Sequence, residues 1–574
     1  MIKLKFILTI ILLSALQVSG QQIFSGNKYP LVDFRTPLDI VPPALAGSFG
    51  ELRSNHFHSG MDYRTNQREG YPVYAIADGY ISRLRVQNSG FGLALYIDHP
   101  NGYTSVYGHL QRFNPKIAQQ VKTIQYQKQT YEIDEFPNSL LIPVRKGDVI
   151  AYTGNTGSSG GPHLHFEIRD TKTEATINPQ LFGLEIPDNI PPVISAMYVY
   201  RLNQKPFNEF IPKQYFQVAG GAGSYRLNQV NTINLSGEVG FGIVATDRHN
   251  GASGLNGVYS IELERDGNLV FTSSLEKFLF ENSKAINSHI DYPTYLQTKR
   301  SIQKSFVDPG NPLQIYSSLV NNGRISFTDG KLHKLKYTLT DGKGNKSTLS
   351  FNVQAYSKAI INAPESIPGK LHFPYANVNE FNNEEVKVII PKGSLYNDLD
   401  FVYKQLPKPA VNAYSSIHQV HNNLTPLHTG FEIWIKADSA LMKYKEKALI
   451  VNTGRGSQGG YFEDGYVKAK PRTFGSYFIS VDTIAPLIIP VNISDGKRMT
   501  GISKASFKIR DNMSGIKSFN GFIDGKWVLL EFDTKTASLW HSFESTLTPG
   551  KHTLEVIVAD MKDNKKTYSI TFYK

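Results

Sequence analysis

Residues 160–168 read GGPHLHFEI, two histidines one residue apart in an otherwise apolar run. On a β-strand, residues i and i+2 share a face. His163 and His165 therefore stand side by side, while Leu164 and Phe166 turn the other way into a core. Two neighbouring imidazoles cannot readily both be charged and buried. A metal site, a catalytic pair and a repeating polar edge are the three chemistries to weigh.

Working outward, similar short alternating runs flank this one: YPVYAIADGYISRLRVQ (71–87), LALYIDHPNGYTSVYGHL (93–110) and DVIAYTGNTG (148–157). Gly-rich turns separate them, so residues 47–185 are expected to form a compact antiparallel β-domain with little helix. A long insertion, 113–144, interrupts it. Within the insertion TIQYQKQTYEI (123–133) alternates, which predicts a hairpin flap beside the site.

At 574 residues the chain is too long for a single core. EIPDNIPPVIS (185–195) marks a boundary, because Pro191 and Pro192 cannot continue a central strand. Beyond it lies an internal repeat. DNIPPVI (188–194) matches DTIAPLI (482–488), and TDRHNGASG (246–254) matches RDNMSG (510–515). GKLHKLKYTLTDGKGNKSTLSFNV (330–353) matches GKHTLEVIVADMKDNKKTYSITFY (550–573), sharing D-x-K-x-N-K at Asp341 and Asp560. Two homologous modules follow, 186–356 and 481–574, both read as immunoglobulin-like β-sandwiches. Turn chemistry accounts for their Asp-rich turns better than calcium does. Residues 357–480 form another strand-rich stretch with no legible function. The whole chain reads as all-β.

Residues 1–20, MIKLKFILTIILLSALQVSG, have the pattern of a secretory signal: Lys3 and Lys5, an apolar run over 6–16, and a small-residue exit before Gln21. Residues 21–46 are a short N-terminal segment ahead of the first domain. No later segment is apolar enough to span a bilayer, so export to the periplasm, cell envelope or exterior is expected, with no integral membrane segment after signal removal. The chain has no cysteine, which excludes disulfides, thiol catalysis, thiolate metal ligands and a lipid-modified N-terminal Cys. The net charge of +12 lies mainly beyond residue 185 and points to anionic envelope polymers as partners. No basic run with interleaved aromatics suggests nucleic acid.

Six of the fifteen histidines fall between residues 56 and 165. NHFHSGMDYRT (55–65) offers His56, His58 and Asp62, and Gly60 permits a bend that brings His58 and Asp62 together. Zn²⁺ accepts imidazole and carboxylate ligands together, and His165 makes a third. The fourth position is left for water, whose pKa a bound zinc lowers to about 7. His109 and His163 remain. A neutral imidazole near pH 7 suits a proton acceptor or an oxyanion partner. His56 lacks an aspartate four residues on and reads as peripheral, and His99 as a turn residue. The later nine histidines are scattered, mostly as lone polar residues in strands and turns, and read as structural; His418 and His421 are close together but have no nearby carboxylate in a ligand-like frame. TGNTGSSGG (153–161) lacks the G-K-[ST] of a phosphate loop and reads as a turn shaping the cleft.

FHSGMD, GYPVYAIADGYIS, SGFGLALYIDHPNGYTSVYGHL and RKGDVIAYTGNTGSSGGPHLHFEI follow, in order, the pattern of the lysostaphin/LytM-type zinc endopeptidases, which this chain resembles over about 120 residues. The resemblance implies His58, Asp62 and His165 as metal ligands, His109 and His163 as catalytic residues, one Zn²⁺ per catalytic domain, and peptidoglycan peptides as substrate. Gly108 stands where that family has a slightly larger residue, and the 113–144 insertion is longer than in compact members. A wall-binding module that activates another hydrolase without turnover is the alternative function.

Overall fold

The strand His163–Asp170 is central to the first sheet, between Met61–Arg64 on one side and Tyr103–Phe113 on the other. The computed structural model describes residues 28–574 except 139–141, 185, 204, 253, 357–369 and 410–411. The signal-like residues 1–20 lie outside the described residues. Both ladders of the central strand are antiparallel, with His165 opposite Asp62 on one side and Gly108 on the other. The sheet continues through Leu93–Asp98 to Gly79–Val86, and Leu45–Gly47 closes the other edge. Its core face buries Met61, Leu84, Leu95, Tyr107, Leu164 and Phe166. Phe34 and Leu38 of the N-terminal segment join the same core.

The protein is all-β, with one substantial helix among the described residues. That helix, Pro115–Lys128, corrects the hairpin expected over 123–133. Asn114 caps it by accepting the Ile117 N–H at 2.9 Å, and Pro115 pre-sets the first turn. Ile117, Val121 and Gln125 are buried at i, i+4 and i+8, which is helical rather than strand spacing. The alternation of Ile124, Tyr126 and Gln125 is local and loses to this longer stripe. Only the end of the quoted run is extended, in Ile133–Glu135, which pairs with Gly79–Val86.

Three further cores follow along the chain. One gathers Ile194, Val199, Phe241, Leu263, Tyr337 and Phe351 between the layers of a large mixed sheet. Another centres on Val388, Phe431, Ile433, Ile450 and Tyr477 between two five-stranded sheets. The last, around Phe507, Leu539, Leu554 and Phe572, lies between a four- and a five-stranded sheet. The first sheet also crosses the boundary: Thr176–Ile177 pairs with Lys277–Phe278 of the second unit. A separate apolar cluster there joins Phe49 and Phe57 to Leu275, Phe278 and Ile286. Among the described residues, no helix is long and apolar enough to cross a membrane.

Candidate metal and catalytic site

His58 follows Phe57, which is fully buried in the joint, and its backbone N–H bonds to the Glu51 carbonyl at 2.9 Å. Four residues on, Asp62 lies in the strand Met61–Arg64. Gly60 makes the approach possible: a Cβ there would lie 2.2 Å from the Phe166 carbonyl oxygen. The ladder register then places Asp62 beside His165. His58 Nε2, Asp62 Oδ1 and His165 Nδ1 stand 2.9–3.0 Å from one another. Ligands at tetrahedral corners ~2.0 Å from a zinc ion lie about 3.3 Å apart. The three atoms are thus within a few tenths of an ångström of a ligand set, and the donors suit zinc.

His109 reaches the same face by a different route. Tyr107 is fully buried, so strict alternation would send His109 into the core as well. His109 instead has φ +56°, and the ladder with Leu93–Asp98 slips between Leu93 and Leu95. This bulge turns His109 outward and returns Leu110 to the core. The His109 and His163 ring centroids are 4.9 Å apart, and His163 Nε2 is 3.4 Å from Asp62 Oδ1.

Every one of these four imidazoles has one nitrogen held by a fixed acceptor. His58 Nδ1 meets the Ser48 carbonyl at 2.7 Å, His109 Nδ1 that of Thr156 at 2.8 Å, and His163 Nδ1 that of Gly161 at 2.8 Å. His165 Nε2 meets Glu167 Oε1 at 2.9 Å. These bonds select which nitrogen faces the centre. Arg53 binds Asp62 Oδ2, leaving Oδ1 for the ligand triangle. Arg169 binds the second oxygen of Glu167 at 2.7 Å.

Burial pulls His58 down to about 4, although Asp62 opposes it. Burial and the neighbouring His165 and His163 take His109 down to about 3. Burial resists charge on His165 as well, but Asp62 and Glu167 raise it to about 9. Burial likewise resists charge on Asp62, and its three histidine neighbours hold the carboxyl well below the usual range. A ligand nitrogen must be free of its proton, so metal uptake by this triangle releases protons. Phe91 stacks on His165 at 4.8 Å between ring centroids, and the His163 side chain is the most exposed of the four, at 14%.

The structure therefore brings together all five residues singled out in the sequence. His56 is exposed and bonds to the Ser54 carbonyl. His99 bridges the Asp78 carbonyl and Ser105 within a turn. The loop 153–161 supplies the carbonyls that hold His109 and His163. Gly157, at φ +67°, admits no side chain there, since a Cβ would lie 2.3 Å from the Gly92 nitrogen. Sequence reasoning missed Ser48, Arg53 and Glu167. The period of two that pairs His163 with His165 also places Glu167 on their face, so that one had a signal. Ser48 and Arg53 had none.

Residues 56–126 and 142–179 match the model of Peptidase family M23. Residues 370–482 match that of a Zu5-like domain. The chain is 34% identical over 137 residues to the DD-carboxypeptidase/endopeptidase Mpg of Neisseria meningitidis, covering 24% of this chain and 25% of that protein. It is 29% identical over 150 residues to the peptidoglycan DD-endopeptidase ShyB of Vibrio cholerae, covering 25% and 29%. The chain thus spans about a quarter of the length of these curated relatives. The catalytic domain of lysostaphin from Staphylococcus simulans is similar at 24% identity, covering 24% of this chain and 87% of that one, with a TM-score of 0.18.

Proposed function

We propose, from the premise that the N-terminal domain belongs to peptidase family M23 of the lysostaphin/LytM type, that this protein is an exported zinc endopeptidase. Its substrate is the peptide part of bacterial peptidoglycan, crosslinks or stems, cut in the cell envelope. The observation that carries this reading is the convergence of two imidazoles and one carboxylate, with two further imidazoles facing the same centre.

His58, Asp62 and His165 would hold the ion. When bound, zinc supplies a Lewis acid and a water acidic enough to yield hydroxide near pH 7. His109 and His163 present Nε2 to the centre with Nδ1 already occupied. One of the pair accepts the proton of the attacking water. The other can donate a hydrogen bond to the oxygen of the scissile carbonyl only as an imidazolium, because its Nδ1 proton is held by the loop carbonyl; in that form it meets the negative charge that develops there. A protonated imidazole of the pair then delivers its proton to the departing amine. The more exposed His163 marks the side from which a peptide enters.

The test is a digest of purified peptidoglycan by the full chain, with the products weighed by mass spectrometry. New amine termini should appear, and a chelator should abolish them. His109→Ala should lower the rate by about 10²–10⁴ while the metal stays bound. Full activity in His109→Ala would remove that residue from the mechanism. Bound metal with no released amine on several wall types would favour the wall-binding alternative.

A further inference from the structure

The Asp-rich turns of the repeat divide into two kinds. Asp341 serves its own turn, accepting the backbone N–H groups of Lys343 and Asn345 at 2.8 and 3.0 Å and the Asn345 side chain at 2.8 Å. Asp560 does the same in the second copy, through Lys562 and Asn564. Turn chemistry explains these two. It leaves part of Asp188 and Asp247 unexplained: Asp188 Oδ1 accepts the Ile190 N–H at 3.0 Å, but its other oxygen does not take part in the turn. Their side chains are 1% and 2% exposed, yet Asp188 Oδ2 and Asp247 Oδ1 are buried without a hydrogen-bond partner. His249 Nε2 faces both, 4.0 Å from an oxygen of each, and its own side chain is 3% exposed. One ligand atom from each of the three lies within 4.8 Å of the other two.

We propose that Asp188, Asp247 and His249 form a second, structural divalent-metal site, separate from the peptidase centre. Two carboxylates and one imidazole without a thiolate suit a first-row ion such as Mn²⁺ or Zn²⁺ better than Ca²⁺ or Mg²⁺. The Asn256 amide nitrogen sits 3.1 Å from His249 Nδ1; with the amide turned over, its buried and otherwise unpartnered Oδ1 accepts the Nδ1 proton and leaves Nε2 for the ion.

The repeat offers independent support. In the C-terminal module Asp482 and Asp511, the counterparts of Asp188 and Asp247, again converge within 4.8 Å, here with the turn residue Asp560, and Asp511 Oδ1 is again buried and unpartnered. Met513 stands where the first copy has His249, so the second triad is oxygen-only. Asp188 belongs to the segment joining the peptidase domain to its neighbour. The loop after Asp247 reaches the Ser48 hydroxyl through the Gly257 N–H at 3.1 Å. Since the Ser48 carbonyl holds His58, an ion here would steady one wall of the peptidase centre.

The test uses the full chain with Asp511→Asn as parent, so that the C-terminal triad contributes nothing. The protein is stripped with a chelator, titrated with Mn²⁺ or Zn²⁺ alone, and its bound metal counted by mass spectrometry. Asp247→Asn should bind one equivalent fewer than the parent, and His165→Ala should lose a different one. In metal-free buffer Asp247→Asn should melt at or above the parent, because an uncompensated buried carboxylate becomes an amide. If that variant fails to fold, His249→Gln is read in the same way. Full stoichiometry in these variants, or a parent whose only metal is lost with His165→Ala, overturns the site.

Discussion

Around the proposed metal centre, the residues that orient the proposed ligands matter almost as much as the ligands themselves. A free imidazole presents either nitrogen, and only a fixed acceptor on one side decides which lone pair reaches an ion. Glu167 does this for His165 from a fully buried position, braced by Arg169. Glu167→Gln should keep the ligand triangle but lower metal affinity by about 10–100-fold, as losses around metal sites generally do. Competition with a chromophoric chelator measures this, and an unchanged affinity would refute the orienting role. Arg53 acts alike on Asp62 Oδ2 from nine residues upstream. Its arrival depends on the turn between Leu52–Arg53 and His56–Phe57, which no spacing rule exposes.

At the level of elements, two departures from simple periodicity shape the site. The bulge at His109 turns one residue of a buried run outward, and its left-handed backbone is held by the His109 N–H bond to the Phe91 carbonyl at 2.8 Å. The helix Pro115–Lys128 depends on its cap in the same local way. Asn114→Ala should cost about 1 kcal/mol, since the Ile117 N–H loses its acceptor. Chemical unfolding of the full chain would show it as a lower midpoint for the transition that reports the N-terminal domain. No change would mean that packing of Ile117 and Val121 alone fixes the helix. A short window of alternation reads as strand, whereas the cap and the i, i+4, i+8 stripe act over fourteen residues and prevail.

Across the whole molecule, the peptidase domain is held at two joints. One is the apolar cluster around Phe57, where the Phe57 N–H bonds to Ser283 at 2.8 Å and the His289 ring lies 5.7 Å away. His289 contacts Tyr316 and Gln303, and burial, with the Lys304 charge against it, lowers it to about 4. It is neutral in the fold, whereas the unfolded chain takes up its proton as pH falls below about 6.5. Its contribution is therefore present above pH 6.5 and is lost as pH drops from 6.5 towards 4, by up to roughly 3 kcal/mol. His289→Gln should flatten the acid side of the stability profile over that window, and an identical slope would show that His289 does not carry it. The other joint brings the C-terminal sandwich back onto the insertion helix. Trp527 meets Tyr126 edge-on at 5.2 Å, and Lys122 pairs with Glu544 at 2.8 Å. Lys535 donates to the carbonyls of Asn155 and Ser159, in the loop that fixes His109 and His163. Trp527→Ala should loosen this arrangement and enlarge the radius of gyration in small-angle scattering. An unchanged profile would place the strength of the joint elsewhere.

The sequence by itself determined the all-β class and, with the family resemblance, singled out the five polar residues proposed for the peptidase centre. Both rest on short-range regularities: the period of two that pairs His163 with His165, and the Gly60 bend that joins His58 to Asp62. Only the tertiary structure decided what holds those residues in place. The reach of Arg53 and the helix in the insertion come from a turn and from a cap with its buried stripe, whereas the bulge at His109 and the pairing of Thr176–Ile177 with Lys277–Phe278 come from contacts between segments apart in the chain. The gathering of Asp188, Asp247 and His249 does as well. Each carries a local signal that fits an ordinary turn, and they become a candidate ligand set only when the segment of Asp188 meets the loop of Asp247 and His249 in a buried corner.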